Sequence, residues 1–295
     1  MRILLTGAGG QLGKDIVTAL GKHNELLKEH LEIDFLATDH SQLDVSVRDQ
    51  VFKVCYGYEP DIIIHAAAWT KVDECETNPE KAYGINSLGT RYLADAAKHL
   101  NAYILYVSTD YVFDGYKKDP YVEWDTPNPL SVYGRSKLAG EQAVYGVDFH
   151  SVIRTSWVCG YGGANMVKTL VKLLAERDVL QFVDDQIGSP TFTEDLAQKI
   201  IEIAIGRYCG IFHVTNSGMT SWYGFAQKTA SLLGYDPSKI VPVKTSEFSP
   251  QRPAPRPANS VLDNMALRLS GLELLPDWQI SLAKLLDRLQ RETSA

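Results

Sequence analysis

Apolar runs of strand length alternate with stretches of helical period through the first half of the chain. Arg2–Thr6 is a short apolar run that ends in glycine-rich sequence. Leu12, Ile16, Val17 and Leu20 then repeat at helical spacing up to Gly21, which reads as a helix stop. Residues 33–38 form a second strand. Val47, Val51 and Val54 fall on one helical face, and Pro60 introduces a third strand over 61–65. Helical period returns over 79–100, and 102–108, rich in Tyr, Ile and Val, reads as a fourth strand. Runs this apolar fit a parallel sheet covered on both faces, joined by right-handed crossovers.

Beyond Ser108 the pattern changes. Gly115, Pro120, Pro127 and Pro129 mark a loop over 114–130 that leads into a helix from near Ser131 past Glu141, and 147–155 is the next strand. Helices near 164–176, 193–205 and 220–233 follow, separated by short strands at 179–183 and 211–214, with a proline-rich bend over 249–257 before the last helices. The fold class is therefore α/β: a Rossmann-type doubly wound parallel sheet with a smaller C-terminal α/β substrate-binding lobe. The expected division is 1–155 for the dinucleotide-binding domain and 156–295 mainly for the lobe, with some segments returning to the first domain.

The first strand runs directly into Thr6-Gly7-Ala8-Gly9-Gly10-Gln11-Leu12-Gly13. In a strand–loop–helix, Gly7 permits the tight turn, Gly10 lets a pyrophosphate approach the backbone, and Gly13 lets the helix pack on the sheet. Unpaired N–H groups at the start of the helix, around Gln11 and Leu12, then face the anion. Asp39, at the end of the second strand, can accept hydrogen bonds from an adenosine ribose, and its charge favours NAD over NADP. Asp44 and Val45 near the adenine, and Ala66, Ala67 and Ala68 after the third strand, complete the expected cofactor contacts.

Composition narrows what else the chain can be. Its 295 residues carry 29 Lys and Arg against 36 Asp and Glu, a net charge of −7, which argues against a nucleic-acid partner. The longest apolar stretch, 62–69, is under half of the ~20 residues that span a bilayer, so neither a membrane span nor a membrane-binding helix is expected. The run after Arg2 is too short for a signal peptide, and the expected location is the cytoplasm. Cys55, Cys75, Cys159 and Cys209 are scattered with no C-x-x-C pair, so neither disulfides nor a zinc site is expected.

Tyr133 and Lys137 lie four apart at the start of a helix and share one face. An ammonium beside a phenol favours phenolate and brings a group of pKa ~10 nearer to neutral pH. Thr109 closes the fourth strand, where a hydroxyl points into the ligand crevice of an open α/β sheet. The three suit carbonyl reduction: Thr109 binds the carbonyl oxygen, Tyr133 donates a proton and a nicotinamide delivers hydride.

With the glycine loop and Tyr133/Lys137 in place, the chain resembles the extended short-chain dehydrogenase/reductases. Longer segments narrow this: 66–76, 108–115, 133–141, 154–157, 185–191, 256–260 and 276–278 are similar to the dTDP-4-dehydrorhamnose reductase family across nearly the whole length. That resemblance implies NAD(P)H-dependent reduction of the C4 ketone of dTDP-4-dehydro-β-L-rhamnose, with NADPH preferred and NADH accepted, against the charge argument at Asp39. It implies that Thr109, Tyr133 and Lys137 are the catalytic positions and that Lys137 also holds the nicotinamide ribose. It further implies a sugar pocket lined by Tyr111 and Trp157, contacts from Val72, Asp73 and Asn86, and Arg256 on the nucleotide diphosphate. Some family members form homodimers around Mg²⁺; Asp15 and Glu194 fall near two of the matching carboxylate positions, with no third ligand to place, so no metal ligand is assigned. Two alternatives stand beside this reading: a related nucleotide-sugar 4-ketoreductase, and a non-catalytic regulatory subunit of the same fold, against which intact Thr109, Tyr133 and Lys137 argue.

Overall fold

The computed structural model describes residues 1–26, 33–247 and 250–293, so position 249 of the proline-rich bend lies outside the described residues. In chain order the first half holds β1 (Arg2–Thr6), α1 (Gln11–Leu26), β2 (Asp34–Thr38), α2 (Arg48–Tyr58), β3 (Ile62–His65), α3 (Val72–Thr77), α4 (Pro79–Tyr83), a π-helical turn (Gly84–Gly89), α5 (Thr90–Leu100), β4 (Tyr103–Thr109), α6 (Val132–Val144) and β5 (His150–Thr155). The second half holds β6 (Val158–Cys159), α7 (Met166–Glu176), β7 (Leu180–Val183), β8 (Ile187–Gly188), β9 (Thr191–Phe192), α8 (Thr193–Ile205), β10 (Gly210–His213), β11 (Asn216–Ser217), β12 (Thr220–Ser221), α9 (Trp222–Leu232), β13 (Ile240–Val243), α10 (Met265–Leu269), β14 (Leu275–Asp277) and α11 (Trp278–Thr293).

Six strands form one sheet in the order β10-β5-β4-β3-β1-β2, every pair parallel. Successive side chains point to opposite faces. Ile3, Leu5, Ile62, Ile64 and Leu105 pack with Ile16 and Leu20 of α1 and Leu196 and Ile200 of α8. Leu4, Ile63, Ile104 and Tyr106 pack with Val51 of α2 and Leu93 and Ala97 of α5. From β1 the chain moves out to β2 and then returns to β3 on the other side. That switch opens a crevice at the carboxyl ends of β1 and β3, where the glycine loop and Ala66–Ala68 sit.

Two expectations are corrected. The first helix does not stop at Gly21 but runs to Leu26. Gly21 meets nothing within 4 Å of where a Cβ would stand, and its helical cost is outweighed by the burial of Ile16 and Leu20. The helical stretch over 79–100 is interrupted by the π-helical turn, which carries Asn86. The second half has its own core of Val167, Leu170, Phe192, Phe225, Trp278 and Leu282. Within it β10 returns to the main sheet and α8 packs on α1. Among the described residues, no helix is long and apolar enough to cross a membrane.

Candidate active site

The glycine loop is shaped by close backbone approach. Gly7 has φ 80°, and a Cβ there would lie 2.6 Å from the Ala67 nitrogen, while one on Gly13 would collide with the Gly7 carbonyl. The loop therefore closes against the 66–68 segment with no room for a side chain at Gly7 or Gly13, as a pyrophosphate cradle at a helix N-terminus requires. Leu12 packs on the core. The Gln11 side chain is used structurally: its Nε2 donates to Val158 O at 3.0 Å and its Oε1 accepts from Asn165 at 2.6 Å. What this position offers a ligand is backbone.

Asp39 lies beside the loop, its Cβ 3.2 Å from where a Gly9 side chain would begin. Its Oδ1 accepts from Ser41 Oγ at 2.6 Å and Ser41 N at 2.8 Å, and these bonds hold the carboxyl below its ordinary pKa. Asp44 likewise accepts from Ser46 Oγ at 2.7 Å, and Val45 is buried against Gly89. Both carboxylates thus shape turns, and Asp39 also lies beside the glycine loop.

The β4 end and the first turns of α6 bring Thr109, Tyr133 and Lys137 to the sheet's carboxyl edge. Ser131 caps α6 by accepting from Gly134 N at 3.1 Å, and Glu76 accepts from Val132 N at 2.7 Å. Gly134 has no Cβ, which lets the helix pack directly on the Tyr111 carbonyl. Thr109 Oγ1 donates to Asp110 Oδ1 at 3.0 Å and accepts from Tyr111 N at 3.2 Å, and its hydroxyl lowers the pKa of the Tyr133 phenol against the larger effect of burial. Tyr111 meets Tyr133 edge to face, centroids 5.6 Å apart.

The charge arrangement differs from the sequence expectation. Burial, followed by Asp110 and Tyr111, pushes the Tyr133 phenol above its ordinary pKa, so the phenol keeps its proton at neutral pH. Lys137 Nζ donates to Val107 O at 2.7 Å and lies 4.1 Å from the Tyr106 ring centroid. Desolvation pulls this ammonium down to about 7, opposed by Glu141. Asp110 is raised to about 6 by burial, opposed by Ser260 and Thr109.

Beneath these groups lies a network that the sequence reading did not single out. Glu141, wholly buried, accepts from Ser108 Oγ at 2.5 Å and from Arg154 Nε at 3.1 Å and Nη2 at 2.7 Å. It joins α6 to β4 and β5 directly behind Lys137. The available signal was its position four residues after Lys137 and eight after Tyr133, on the same helical face.

On the other side, the expected sugar and diphosphate residues meet each other. Asp73 and Arg256 form a two-pronged pair, Oδ1 to Nη1 at 3.0 Å and Oδ2 to Nη2 at 2.8 Å, and Arg256 holds the Asp73 carboxyl below its usual range. Val72 and Tyr111 pack in one cluster with Tyr133 and the buried Cys75. Trp157 follows β5 with φ 45° and stacks on Trp222. Asn86 is fully buried, accepts from Trp69 N at 2.8 Å, and donates to Trp69 O at 3.2 Å and Ser136 Oγ at 3.0 Å. Of the two carboxylates considered for a metal, Asp15 accepts from Thr193 and Glu194 stands in the first turn of α8. Among the described residues, no group of three or more His, Cys, Asp or Glu side chains is placed to hold a metal ion.

The profile of the RmlD substrate binding domain matches residues 1–291. A dTDP-4-dehydrorhamnose reductase of Aggregatibacter actinomycetemcomitans is 40% identical over 95% of this chain and 97% of its own. A dTDP-4-keto-6-deoxy-D-glucose reductase of Streptomyces niveus is 36% identical over 99% of both. A crystal structure of dTDP-4-dehydrorhamnose reductase from Bacillus anthracis in complex with NADP superposes with a TM-score of 0.88 at 38% identity, covering 97% of this chain and 99% of that one. The chain belongs to the RmlD substrate binding domain family.

Proposed function

We propose that the chain is an oxidoreductase that reduces the C4 ketone of dTDP-4-dehydro-β-L-rhamnose to dTDP-L-rhamnose, the last step of dTDP-L-rhamnose synthesis, with NADPH preferred and NADH usable. The observation that carries it is the set Thr109, Tyr133 and Lys137 at the sheet's carboxyl edge, beside a glycine cradle that fits a dinucleotide. The nicotinamide supplies hydride when bound. Tyr133, kept protonated by burial, donates the proton to the ketone oxygen. Thr109 holds Tyr133 and the substrate oxygen in line, and Lys137, near neutral pKa beside the crevice, holds the ribose.

In this reading residues 1–155 supply the cofactor half and 156–295 most of the sugar side. Tyr111, Val72 and Trp157 line the pocket, and the Asp73–Arg256 pair presents a guanidinium to the nucleotide diphosphate. Asp39 opposes a 2′-phosphate by charge, whereas the Bacillus anthracis relative is described with NADP. A cytoplasmic location and a homodimer accompany the reading, and Mg²⁺ is not required by it.

One observation favours a second reading within the same chemistry: the Streptomyces niveus relative, named for another 4-keto sugar, matches as fully in length. The test is NADPH consumption by the purified chain with dTDP-4-dehydrorhamnose, followed by NMR of the product. The L-rhamno configuration supports the proposal. A product epimeric at C4, or turnover only with another 4-keto sugar, supports the second reading.

A further inference from the structure

Trp157 has a left-handed backbone at φ 45°, which a bulky side chain rarely adopts. Several segments hold it there. Thr191 N donates to the Trp157 carbonyl at 3.3 Å, and Ser156 Oγ donates to Ser189 O at 2.5 Å. The Trp157 ring lies on Trp222, centroids 3.6 Å apart and planes within 6°. The backbone of Gly188 presses on the same ring, since a Cβ there would fall 2.5 Å from Cε2 and 2.6 Å from Nε1.

Gly188 and Trp222 are not independent. β8 pairs with β12, placing Thr220 opposite Gly188 and Ser221 opposite Ile187. Ser221 is the N-cap of α9, accepting from Gly224 N, and the next residue is Trp222. From Trp222 the aromatic contacts continue inward, edge-on to Phe225 at 6.0 Å and from Phe225 to Trp278 at 5.5 Å, both buried in the second core. The same β8 also carries the Arg256 side: Ile187 N donates to Ala258 O, and Ser260 N donates to Ile187 O, each at 2.8 Å.

We infer that Trp222 is a positioning residue for sugar recognition: by stacking on Trp157 it fixes that ring in its strained backbone setting, so that Trp157 offers the sugar a rim rather than an open stacking face. Trp222 acts through Trp157 and through the lobe core behind it, with no contact to the ligand required. The inference rests on the reading of Trp157 as a wall of the sugar pocket.

The test uses the full chain with 5-fluorotryptophan at its five tryptophans, each ¹⁹F resonance assigned by single substitution, together with steady-state kinetics. Trp222→Leu is expected to move the Trp157 resonance and to raise KM for dTDP-4-dehydrorhamnose about tenfold, with KM for NADPH and kcat within about twofold of the parent. Trp222→Phe, which keeps a stacking ring, is expected to restore sugar KM. If Trp222→Leu moves the resonance and leaves sugar KM unchanged, or leaves the resonance in place, the inference is overturned and Trp222 only packs the lobe. Should that variant fail to fold, Trp222→His is read in the same way. Trp157→Ala separates the premise: an unchanged sugar KM there defeats the pocket reading itself, whereas a raised one keeps it whatever Trp222 does.

Discussion

Tyr133 and Lys137 stand on a helix whose inner face is bonded into the central sheet, whereas Trp157 sits on a seam of two-residue strands and Arg256 on a loop held by its pair with Asp73. The first side is buried and redundant. Lys137 is 2% exposed, and Ser108, Glu141 and Arg154 tie three elements together behind it. The second side is assembled from segments far apart in sequence, 156–157, 187–191, 220–222 and 254–260, each contributing a few contacts. Groups that transfer a proton need fixed geometry to within a fraction of an ångström.

Breaking the first side should cost the fold. Glu141→Gln leaves the buried Arg154 guanidinium without a counter-charge, and urea unfolding is expected to show a loss of about 3–5 kcal/mol. A loss below about 1 kcal/mol would mean that the network is not what anchors α6. Breaking the second side should cost recognition instead. Arg256→Met is expected to raise KM for the dTDP-sugar ten- to hundredfold, about 1.4–2.7 kcal/mol, with NADPH binding and the melting midpoint nearly unchanged. An equal rise in KM for NADPH would place Arg256 on the cofactor and collapse the division.

Acid should sharpen the contrast, because the buried histidines belong to strands of the central sheet. His65 accepts or donates to Thr6 and Thr90, and His213 contacts the Tyr121 and Asp263 carbonyls. Burial lowers both from 6.5 to about 3. Between those values the unfolded chain binds protons that the folded chain refuses, so stability falls as pH falls from 6.5 towards 3. Asp110, raised from 3.8 to about 6, works the other way between those two values and offsets one histidine. The net expected slope near pH 5.5 is on the order of 1 kcal/mol per pH unit, and His213→Gln should flatten it. A slope that His213→Gln leaves unaltered would remove this histidine from the account.

The same contrast explains what could be read from the sequence. β1, β3 and β4 announce themselves as continuous apolar runs, and the glycine loop and Tyr133/Lys137 carry local spacing that maps onto geometry without knowledge of the rest of the chain. β8 and β12 are two residues each, too short for any periodicity to register, so the contact between Trp157 and Trp222 is invisible until the chain is folded. Two partners have no signal in local spacing: Lys137 Nζ donates to the Val107 carbonyl, and Arg256 pairs with Asp73, 183 residues away. Gly21 misled because intrinsic propensity yields to the packing of Ile16 and Leu20 before it.

The most direct test of the central claim, that a proton-bearing Tyr133 on a rigid side serves a separate recognition side, is the Tyr133→Phe enzyme measured with NADPH and dTDP-4-dehydrorhamnose. The account predicts that kcat falls by about 10²–10⁴, the contribution of a positioned general acid, while NADPH affinity and thermal midpoint stay near those of the parent. Turnover at the parent rate would contradict it.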